Sequence, residues 1–156
     1  MLDGQSLDKI LRSARTHNVW LPKPVSDQQL REIYEILRWG PTSMNAQPGR
    51  YVFLHSSAAR ERLIPAMIAA NAEKTRKAPL TVIVASDSQF YDQLPTQFKA
   101  YDARPIFAGN LALAEATAFR NSSLQGAYLM LAARALGLDC GPMSGFDAAK
   151  VDAEFF

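Results

Sequence analysis

The sequence predicts an α+β domain in which helices surround a small number of short strands. Two apolar runs, residues 50–55 and 80–85, have the length and the β-branched or aromatic content of strands. Two N-terminal segments and a long Ala- and Leu-rich segment carry apolar residues at helical spacing. The chain of 156 residues is 48% hydrophobic and 21% charged, so we expect a single domain over residues 1–156.

Composition excludes several classes of partner. The 17 basic and 15 acidic side chains are scattered, so no basic stripe indicates nucleic-acid or anionic-lipid binding. No apolar stretch is long enough to cross a bilayer, and the N-terminus does not resemble a signal peptide. The single cysteine, Cys140, has no partner for an internal disulfide. We therefore expect a cytoplasmic protein with neither a membrane nor a nucleic acid as its partner.

The N-terminal segment is predicted as a short helix followed by a linker. After Ser6, one helical face carries Leu7, Ile10, Leu11 and Ala14. This helix places Arg15 at its C-terminal end. Residues 20–24 contain two prolines, which lack amide donors and favour extended neighbours, so this stretch is predicted as a linker.

A second helix is predicted to begin at a capping box formed by Ser26 and Gln29 and to end near Gly40. It is followed by the stretch Pro-Thr-Ser-Met-Asn-Ala-Gln-Pro-Gly, residues 41–49. This stretch is too rich in turn-forming residues for a regular element. It also concentrates polar side chains.

The two strand-like runs, Arg50–His55 and Leu80–Ala85, are predicted as short buried strands. The helix predicted between them covers about Ser57–Ala70, and Pro65 predicts a kink or break within it. Two strands are too few to complete a sheet, so we expect part of the sheet to be missing from this chain.

The second half of the chain combines an irregular region with a long helix. Residues 86–108 mix aromatic residues, charges and two prolines without a clear period, and we predict a long excursion or a lid. The helix is predicted over about Leu111–Leu136, with Gly137 as its stop. Its buried faces are predicted to contain Leu113, Ala116, Leu124, Ala127, Leu131 and Ala135. Small residues at 118, 122, 123, 126 and 127 fit either a core helix, the favoured interpretation, or contact with a second subunit.

No set of residues indicates a metal site or an acid–base–nucleophile triad. The aspartates are scattered, and His17 and His55 lie far apart along the chain. Cys140 has no nearby base and is interpreted as structural. Ser144 lies in Pro-Met-Ser-Gly-Phe, which lacks the first glycine of a nucleophile elbow.

Three polar or glycine-containing segments remain, each next to a predicted helix: Arg15–Asn18, Pro41–Pro48 and Cys140–Asp147. Such segments are typical of a ligand cradle. Each segment also has a purely structural interpretation. The first would be a solvated helix end, Asn45 in the second would hydrogen-bond within its own loop, and Gly145 in the third would form a tight turn.

In these segments the sequence resembles the nitroreductase family, and in detail its malonic semialdehyde reductases. The matching stretches are Ala14-Arg15-Thr16-His17-Asn18, Trp39-Gly40-Pro41-Thr42-Ser43-Met44-Asn45-Ala46-Gln47-Pro48 and Gly137-Leu138-Asp139-Cys140-Gly141-Pro142-Met143-Ser144-Gly145-Phe146-Asp147. The likeness covers nearly the whole chain. It implies a mixed central β-sheet flanked by helices, a homodimer formed through the 111–136 region, and FMN bound at the subunit boundary.

The resemblance also implies roles for individual residues. The FMN phosphate and ribityl side would meet Arg15, Thr16 and His17; the ring or ribityl chain would meet Ser43, Asn45 and Gln47; the isoalloxazine would lie against Pro142, Met143, Ser144 and Gly145. Guanidinium groups suit phosphate, and amides can both donate to and accept from the pyrimidine edge of a flavin. A backbone amide near Ser144 or Gly145 would face flavin N5. No catalytic side chain is expected, because the flavin carries the chemistry.

The function implied is an FMN-dependent NAD(P)H oxidoreductase with ping-pong kinetics. Its small-molecule substrate would be malonic semialdehyde, reduced to 3-hydroxypropionate in pyrimidine breakdown, with NADH or NADPH as reductant. The alternatives are a broad-specificity nitro or quinone reductase, and a flavin-binding or structural protein of the same fold without catalysis.

Two departures from the family bear on cofactor affinity. Many relatives carry Lys or Arg four residues after the first arginine, where this chain has Val19. Relatives also continue beyond the position of Phe156 into another strand, a basic residue and a tail that embraces the partner subunit. We therefore expect weakened FMN binding.

Overall fold

A computed structural model describes all residues, Met1–Phe156, and contains eight helices and two strands. The chain forms two compact units, each assembled from separate segments. The first comprises Met1–Leu30, Phe53–Ile83 and Ala133–Phe156, and the second comprises Arg31–Val52 and Val84–Ala132. The expectation of a single domain stays a prediction.

The first helix forms but ends at Arg12, so Arg15 lies three residues beyond its end rather than at it as predicted, while the second helix forms where predicted. Helix α1, Gly4–Leu7, begins where the Asp3 carboxylate accepts a hydrogen bond from the Ser6 amide at 2.7 Å, and it continues as a π-helical turn, Asp8–Arg12. No regular element follows until α2, Asp27–Leu37, so the predicted linker is confirmed. The capping box is confirmed as well. The Gln29 amide donates to Ser26 Oγ at 3.2 Å, and the Ser26 amide donates to Gln29 Oε1 at 3.0 Å.

Both predicted strands are present within one residue of their expected bounds, but they are less buried than predicted. Strands β1, Gly49–Leu54, and β2, Thr81–Ser86, pair in a two-stranded sheet. Only Gly49 and Leu54 of β1 are buried, and no residue of β2 is. The prediction of buried strands is therefore wrong, because in a pair of strands each side chain has only one neighbouring strand to pack against within the sheet.

The predicted break at Pro65 is confirmed, but the predicted helix Ser57–Ala70 is wrong in extent. Helix α3, Ser57–Leu63, passes into a 3₁₀ turn, Ile64–Ala66, that contains Pro65. A separate helix α4, Ala69–Lys77, then begins. Sequence reasoning missed α4 because most of its nine residues are polar or small and show no clear apolar stripe.

Residues 86–108 form part of the core. A 3₁₀ turn, Phe90–Gln93, and the short helices α5, Leu94–Gln97, and α6, Arg104–Ala108, follow β2. The main buried cluster contains Ala46, Phe90, Leu94, Ala103, Phe107, Ala114 and Ala118. The Phe90 and Phe107 rings meet edge to face, 5.0 Å apart. The prediction of a lid is wrong, because these aromatic residues are anchored in the core; short helices separated by Pro95 and Pro105 share no common period.

The long helix α7 spans Leu111–Ala135 and ends as predicted. Gly137 has φ +83°, and the Leu138 amide donates to the Ala133 carbonyl at 2.9 Å, which closes the C-terminus. The predicted buried faces are wrong. Leu131 is half-buried, and the exposed positions are Leu113, Ala116, Leu124, Ala127 and Ala135. The buried face contains Ala114, Thr117, Ala118, Asn121, Ser122, Gln125, Leu129, Ala132 and Ala133.

The last helix, α8, covers Ala148–Phe155 and was not predicted. Asp147 caps it by accepting a hydrogen bond from the Lys150 amide at 3.2 Å. Its C-terminal turn is held to α3 by Arg62, which contacts Glu154 at 2.6 Å and stacks over the Phe155 ring at 5.0 Å.

Candidate functional site

The middle segment, Pro41–Pro48, has an unusual backbone. Met44, Asn45 and Gln47 adopt left-handed conformations, with φ of 53°, 50° and 44°. Such conformations cost about 1–3 kcal/mol each outside glycine and persist only where the surroundings hold them. Conformations of this kind are concentrated at functional sites, so the segment is a candidate for a binding role.

Two buried amides of α7 hold the ends of this segment. The Ser43 amide donates to Asn121 Oδ1 at 2.8 Å, and the Gly49 amide donates to Gln125 Oε1 at 2.7 Å. Asn121 and Gln125 are each 2% exposed. Sequence reasoning missed both, although Thr117, Asn121 and Gln125 recur every four residues as polar positions within an apolar helix.

The structure brings Asn45 and Gln47 together. Gln47 Nε2 donates to Asn45 Oδ1 at 2.9 Å and lies 3.2 Å from the Arg38 carbonyl, while Asn45 Nδ2 donates to the Gln97 carbonyl at 3.1 Å. The Asn45 side chain therefore hydrogen-bonds within its own loop, as its structural interpretation predicted, but not with all of its polar atoms. One amide hydrogen of Asn45 remains free for a ligand.

Beside these amides lies an open cavity of about 400 Å³. It is lined by Tyr34, Arg38, Trp39, Gly40, Pro41, Thr42, Asn45, Gln47 and Gln97. The lining combines one guanidinium, several amides and two aromatic rings, which suits a small ligand with both polar and planar parts. Ser43 is exposed but is not among the lining residues.

The first and third predicted segments both belong to the first compact unit, where they contact each other. The His17 amide donates to the Cys140 carbonyl at 3.0 Å, and His17 Nε2 lies 3.4 Å from Asp139 Oδ1. Gly141 lies against the His17 carbonyl and the Trp20 ring so closely that a β-carbon there would collide with the carbonyl oxygen. A glycine is therefore required where the two segments touch.

Arg15 begins the first segment, and no acidic side chain neutralises its charge. Its Nη1 donates to the Arg12 and Ala14 carbonyls at 2.9 and 2.8 Å, and no carboxylate pairs with it. Arg15 and Thr16 are both exposed. A guanidinium held by backbone carbonyls and free of acidic partners is suited to bind an anion.

A second surface depression of about 380 Å³ adjoins the first segment. It is lined by Asn18, Val19, Trp20, Ala70, Glu73, Lys74 and Lys77. Lys74 Nζ donates to Asn18 Oδ1 at 2.9 Å, and the Trp20 indole donates to the Lys74 carbonyl at 2.9 Å. These contacts tie α4 to the first segment and add a cation beside it.

The third segment is held by α4. The Gly145 carbonyl accepts hydrogen bonds from the Ile68 amide and from Asn71 Nδ2, both at 3.1 Å. Met143 Sδ lies 3.8 Å from Thr75 Oγ1. Pro142 and Ser144 are exposed. Neither the Ser144 nor the Gly145 amide nitrogen donates to another group of the chain, so both are available to a ligand.

Cys140 makes no disulfide and is half-buried. Burial raises the pKa of its thiol, Arg134 lowers it and Asp139 raises it. A thiol with a raised pKa is a poor nucleophile, which favours the structural interpretation. No group of three His, Cys, Asp or Glu side chains is arranged to hold a metal ion, and no helix is long and apolar enough to span a membrane.

Known proteins match this chain along nearly its whole length. A model of the nitroreductase family matches residues 11–155. A protein of Ralstonia nicotianae, provisionally named NADH dehydrogenase/NAD(P)H nitroreductase, is 57% identical over 155 residues, which are 99% of this chain and 80% of the relative.

Solved structures share the fold. A provisionally assigned nitroreductase from Bacillus subtilis superposes with a TM-score of 0.82 at 24% identity, over 96% of this chain and 80% of the other. A provisionally assigned nitroreductase from Exiguobacterium sibiricum, solved in complex with FMN, has a TM-score of 0.82 at 20% identity, over 99% of this chain and 80% of the other. The predicted α+β fold class is thereby confirmed.

Proposed function

Because this chain belongs to the nitroreductase family of FMN- and NAD(P)H-dependent oxidoreductases, we propose that it reduces malonic semialdehyde to 3-hydroxypropionate. In that reaction the aldehyde carbon gains a hydride that originates in NADH or NADPH, and its oxygen gains a proton from solvent. Two observations carry the cofactor assignment: Arg15 has no acidic partner, and the third segment, which contacts the first through His17, has two amide groups without partners.

The residues present fit FMN. The Arg15 guanidinium suits the phosphate, with Thr16 and His17 next to it along the chain. Asn45 and Gln47 offer amide groups to the flavin edge, with Ser43 nearby in the same segment. Pro142, Met143, Ser144 and Gly145 provide a surface against which a planar ring can lie, with free N–H groups at its centre.

When bound, FMN would supply the hydride-transfer chemistry between the nicotinamide and the acceptor, at its ring nitrogen N5. The side chains of this protein bind and orient the flavin and its substrates. No acid–base triad is needed. The strained middle segment is fixed by Asn121 and Gln125 before any ligand arrives, so little ordering cost remains at binding. A single bound flavin that served the reductant and the acceptor in turn would give ping-pong kinetics.

The cavity beside Asn45 and Gln47 supports an acceptor that carries a carboxylate. Arg38 lines it, and its Nη1 lies 3.3 Å from Glu35 Oε2, an exposed pair that leaves the other guanidinium donors free. Malonic semialdehyde has one carboxylate for this guanidinium and one aldehyde for reduction.

A homodimer is part of the proposal. Helix α7 leaves large apolar side chains in water, among them Leu111, Phe119 and Leu124, which are 68%, 74% and 47% exposed. Exposed apolar side chains of this size favour burial against a second copy of the chain.

Two observations support the alternative functions. The exposure of Pro142 and Ser144 leaves room for bulky acceptors, which favours a broad-specificity nitro or quinone reductase. Val19, 86% exposed, provides no cation four residues after Arg15, which favours a flavin-binding protein with slow turnover.

The test is to add FMN to the purified protein, remove unbound cofactor by desalting, and record the visible flavin band. We expect retained colour that bleaches under NADH or NADPH without oxygen and returns on adding malonic semialdehyde. Return of colour with a quinone or a nitroaromatic but not with malonic semialdehyde would favour the broad-specificity reductase. A folded protein that retains no flavin would overturn the proposed function.

A further inference from the structure

Arg50 and Asp87 form an ion pair that the sequence analysis did not identify. Arg50 belongs to β1, Asp87 follows β2 directly, and Arg50 Nη2 lies 2.6 Å from Asp87 Oδ2. The two side chains are 43% and 28% exposed, and ion pairs at the surface contribute little to overall stability. The other contacts of the two residues are therefore more informative than the ion pair itself.

Both residues hold the backbone where the middle segment continues into β1. Arg50 Nη1 donates to the carbonyls of Gln47 and Gly49, at 2.9 and 3.0 Å. The Asp87 amide donates to the carbonyl between them, that of Pro48, at 2.9 Å. Three successive carbonyls are thus fixed by one pair of residues, which forms a carbonyl clamp.

Gln47 is the residue whose conformation depends most directly on the clamp. It has a left-handed backbone with φ of 44°. Its amide donates to Thr42 Oγ1 at 3.1 Å, and its carbonyl accepts from Arg50. Outside glycine, a left-handed conformation persists only where surrounding contacts hold it. The clamp therefore stabilises a backbone conformation that Gln47 would not keep alone.

The backbone of Gln47 determines where its side chain lies, and that side chain contacts two other residues of the cavity. Gln47 Nε2 donates to Asn45 Oδ1 at 2.9 Å and lies 3.2 Å from the Arg38 carbonyl. Asn45, Gln47 and Arg38 all line the cavity. A change in the backbone at Gln47 would therefore displace the amide groups that this wall of the cavity offers to a ligand.

We propose that Arg50 and Asp87 are positioning residues for flavin binding, acting through the Gln47 carbonyl to hold the Asn45 and Gln47 amides in place. The inference rests on the proposed function. The planar fork of Arg50 is required, because one nitrogen meets two carbonyls while another meets the carboxylate. A lysine would keep the charge but has one nitrogen in place of the fork, so it would not reproduce this geometry.

Arg104 and Asp92 provide a matched control in the same compact unit. They form an ion pair at 3.0 Å, their side chains are 54% and 46% exposed, and Arg104 makes no hydrogen bond with the middle segment. Arg104→Lys removes a guanidinium fork from an exposed ion pair, as Arg50→Lys does. It leaves the contacts of the clamp intact.

The first measurement uses the FMN-free protein. In Arg50→Lys we expect hydrogen exchange of the Gln47 amide to accelerate by about tenfold, because its backbone opens more often. Exchange of the Ala114 amide, which donates to the Asn110 carbonyl in the same unit, should not change. Arg104→Lys should leave Gln47 exchange at the wild-type rate. Unchanged Gln47 exchange in Arg50→Lys would show that the clamp does not hold the segment, and would overturn the proposal.

The second measurement is titration with FMN under conditions in which every variant is folded. Arg50→Lys should raise the Kd for FMN by about tenfold, because the amides must then be ordered at binding. Arg104→Lys should not change it. The urea midpoints of the two variants should be similar, so a difference in stability does not account for the difference in affinity.

The spectrum of the bound flavin gives a readout that a purely structural role would not move. At saturating FMN, Arg50→Lys should shift the visible flavin band, because the hydrogen bonds offered to the edge of the ring change. Arg104→Lys should leave the band at its wild-type position. An affinity and a spectrum that are the same in both variants, with FMN bound by the wild type, would overturn the positioning role and leave the proposed function standing.

Asp87→Asn tests the other half of the clamp, and it replaces Arg50→Lys if that variant does not fold. Asp87 Oδ2 accepts from Arg50 and Oδ1 accepts from the Gln89 amide at 2.8 Å, whereas an asparagine keeps only one of these oxygens. We expect a weaker affinity for FMN, with Asp92→Asn as the unaffected control. The double variant of Arg50 and Asp87 should lose no more affinity than Arg50→Lys alone, because both residues act through one set of contacts. Additive losses would overturn their joint action.

A wild-type protein that binds no FMN would overturn the proposed function and the flavin role of the clamp together. The exchange of the Gln47 amide separates this outcome from a failure of the clamp itself. Accelerated exchange in Arg50→Lys would show that the clamp holds the segment even without a flavin, and unchanged exchange would show that it does not.

Discussion

Neighbouring arginines near the N-terminus differ in their partners. Arg12 Nε lies 2.8 Å from Asp8 Oδ1, one helical turn away, whereas Arg15 contacts only backbone carbonyls. The close contact of Arg12 with a carboxylate leaves it less to gain from an anion than the unpaired Arg15, and less than Arg38, whose single contact with Glu35 is longer, at 3.3 Å. The helix that precedes Arg15 could be predicted from the apolar pattern, but the helix ends at Arg12, three residues before Arg15, and this end was not predicted. The restraint of the Arg15 side chain by the Arg12 and Ala14 carbonyls could not be predicted either, because that depends on how the chain turns after the helix.

Arg15→Gln should weaken FMN binding by about 10- to 100-fold, since it removes a charged donor to the phosphate. The measurement is fluorescence titration of FMN at two salt concentrations. Arg12→Gln, which removes the same charge three residues away, is the control and should change the affinity far less. Equal losses in the two variants would show that only net charge matters and that Arg15 has no specific role.

Arg38→Gln should raise the KM for malonic semialdehyde by about tenfold, because one carboxylate loses a charged partner in the cavity. The KM for a neutral quinone should stay at the wild-type value, and kcat should change little with either acceptor. Steady-state kinetics with both acceptors test this. Arg31→Gln removes an exposed arginine earlier in the same helix and serves as the control. An equal rise in KM for both acceptors would contradict carboxylate recognition.

At the scale of elements, the sequence predicts those that have a local signature. The Ser26–Gln29 capping box located the start of α2, Pro65 located the break after α3, and Gly137 located the end of α7. Helix α4 has no such signature, since its residues are mostly polar and its stability comes from contacts such as Asn71 with Gly145. The candidate site follows the same division: its loops were predicted, and the buried amides that hold them were not.

Asn121→Leu tests how α7 supports the middle segment. The substitution leaves the Ser43 amide without its acceptor at 2.8 Å, so the free energy of unfolding should fall by about 1–3 kcal/mol. Urea denaturation measures the change. Ser123→Ala, two residues further on, removes an exposed hydroxyl that bonds only within the helix and should cost about 0.5 kcal/mol or less. A stability loss no greater in Asn121→Leu than in Ser123→Ala would mean that the loop does not depend on this hydrogen bond.

At the scale of the whole molecule, α7 shows where apolar periodicity fails. Alanine and leucine occur all around this helix, so the apolar pattern alone did not distinguish its inner face from its outer face. The inner face instead carries polar residues, among them Asn121 and Gln125, whose side chains find hydrogen-bond partners there. The outer face keeps Phe119 and Leu124 in water, which costs free energy unless a second copy covers them.

Phe119→Glu should therefore dissociate the proposed dimer. A charge in the centre of an apolar interface remains desolvated and unpaired, so the dissociation constant should rise by about 10- to 100-fold. Sedimentation velocity across a concentration series measures it. Phe156→Glu places the same charge at a comparably exposed phenylalanine, 66% against 74%, outside α7, and should leave assembly unchanged.

If FMN binds at the subunit boundary, Phe119→Glu should also lose FMN in parallel with the dimer. A variant that stays dimeric would place the interface elsewhere, and a wild-type protein that is monomeric at all concentrations would remove the homodimer from the proposal.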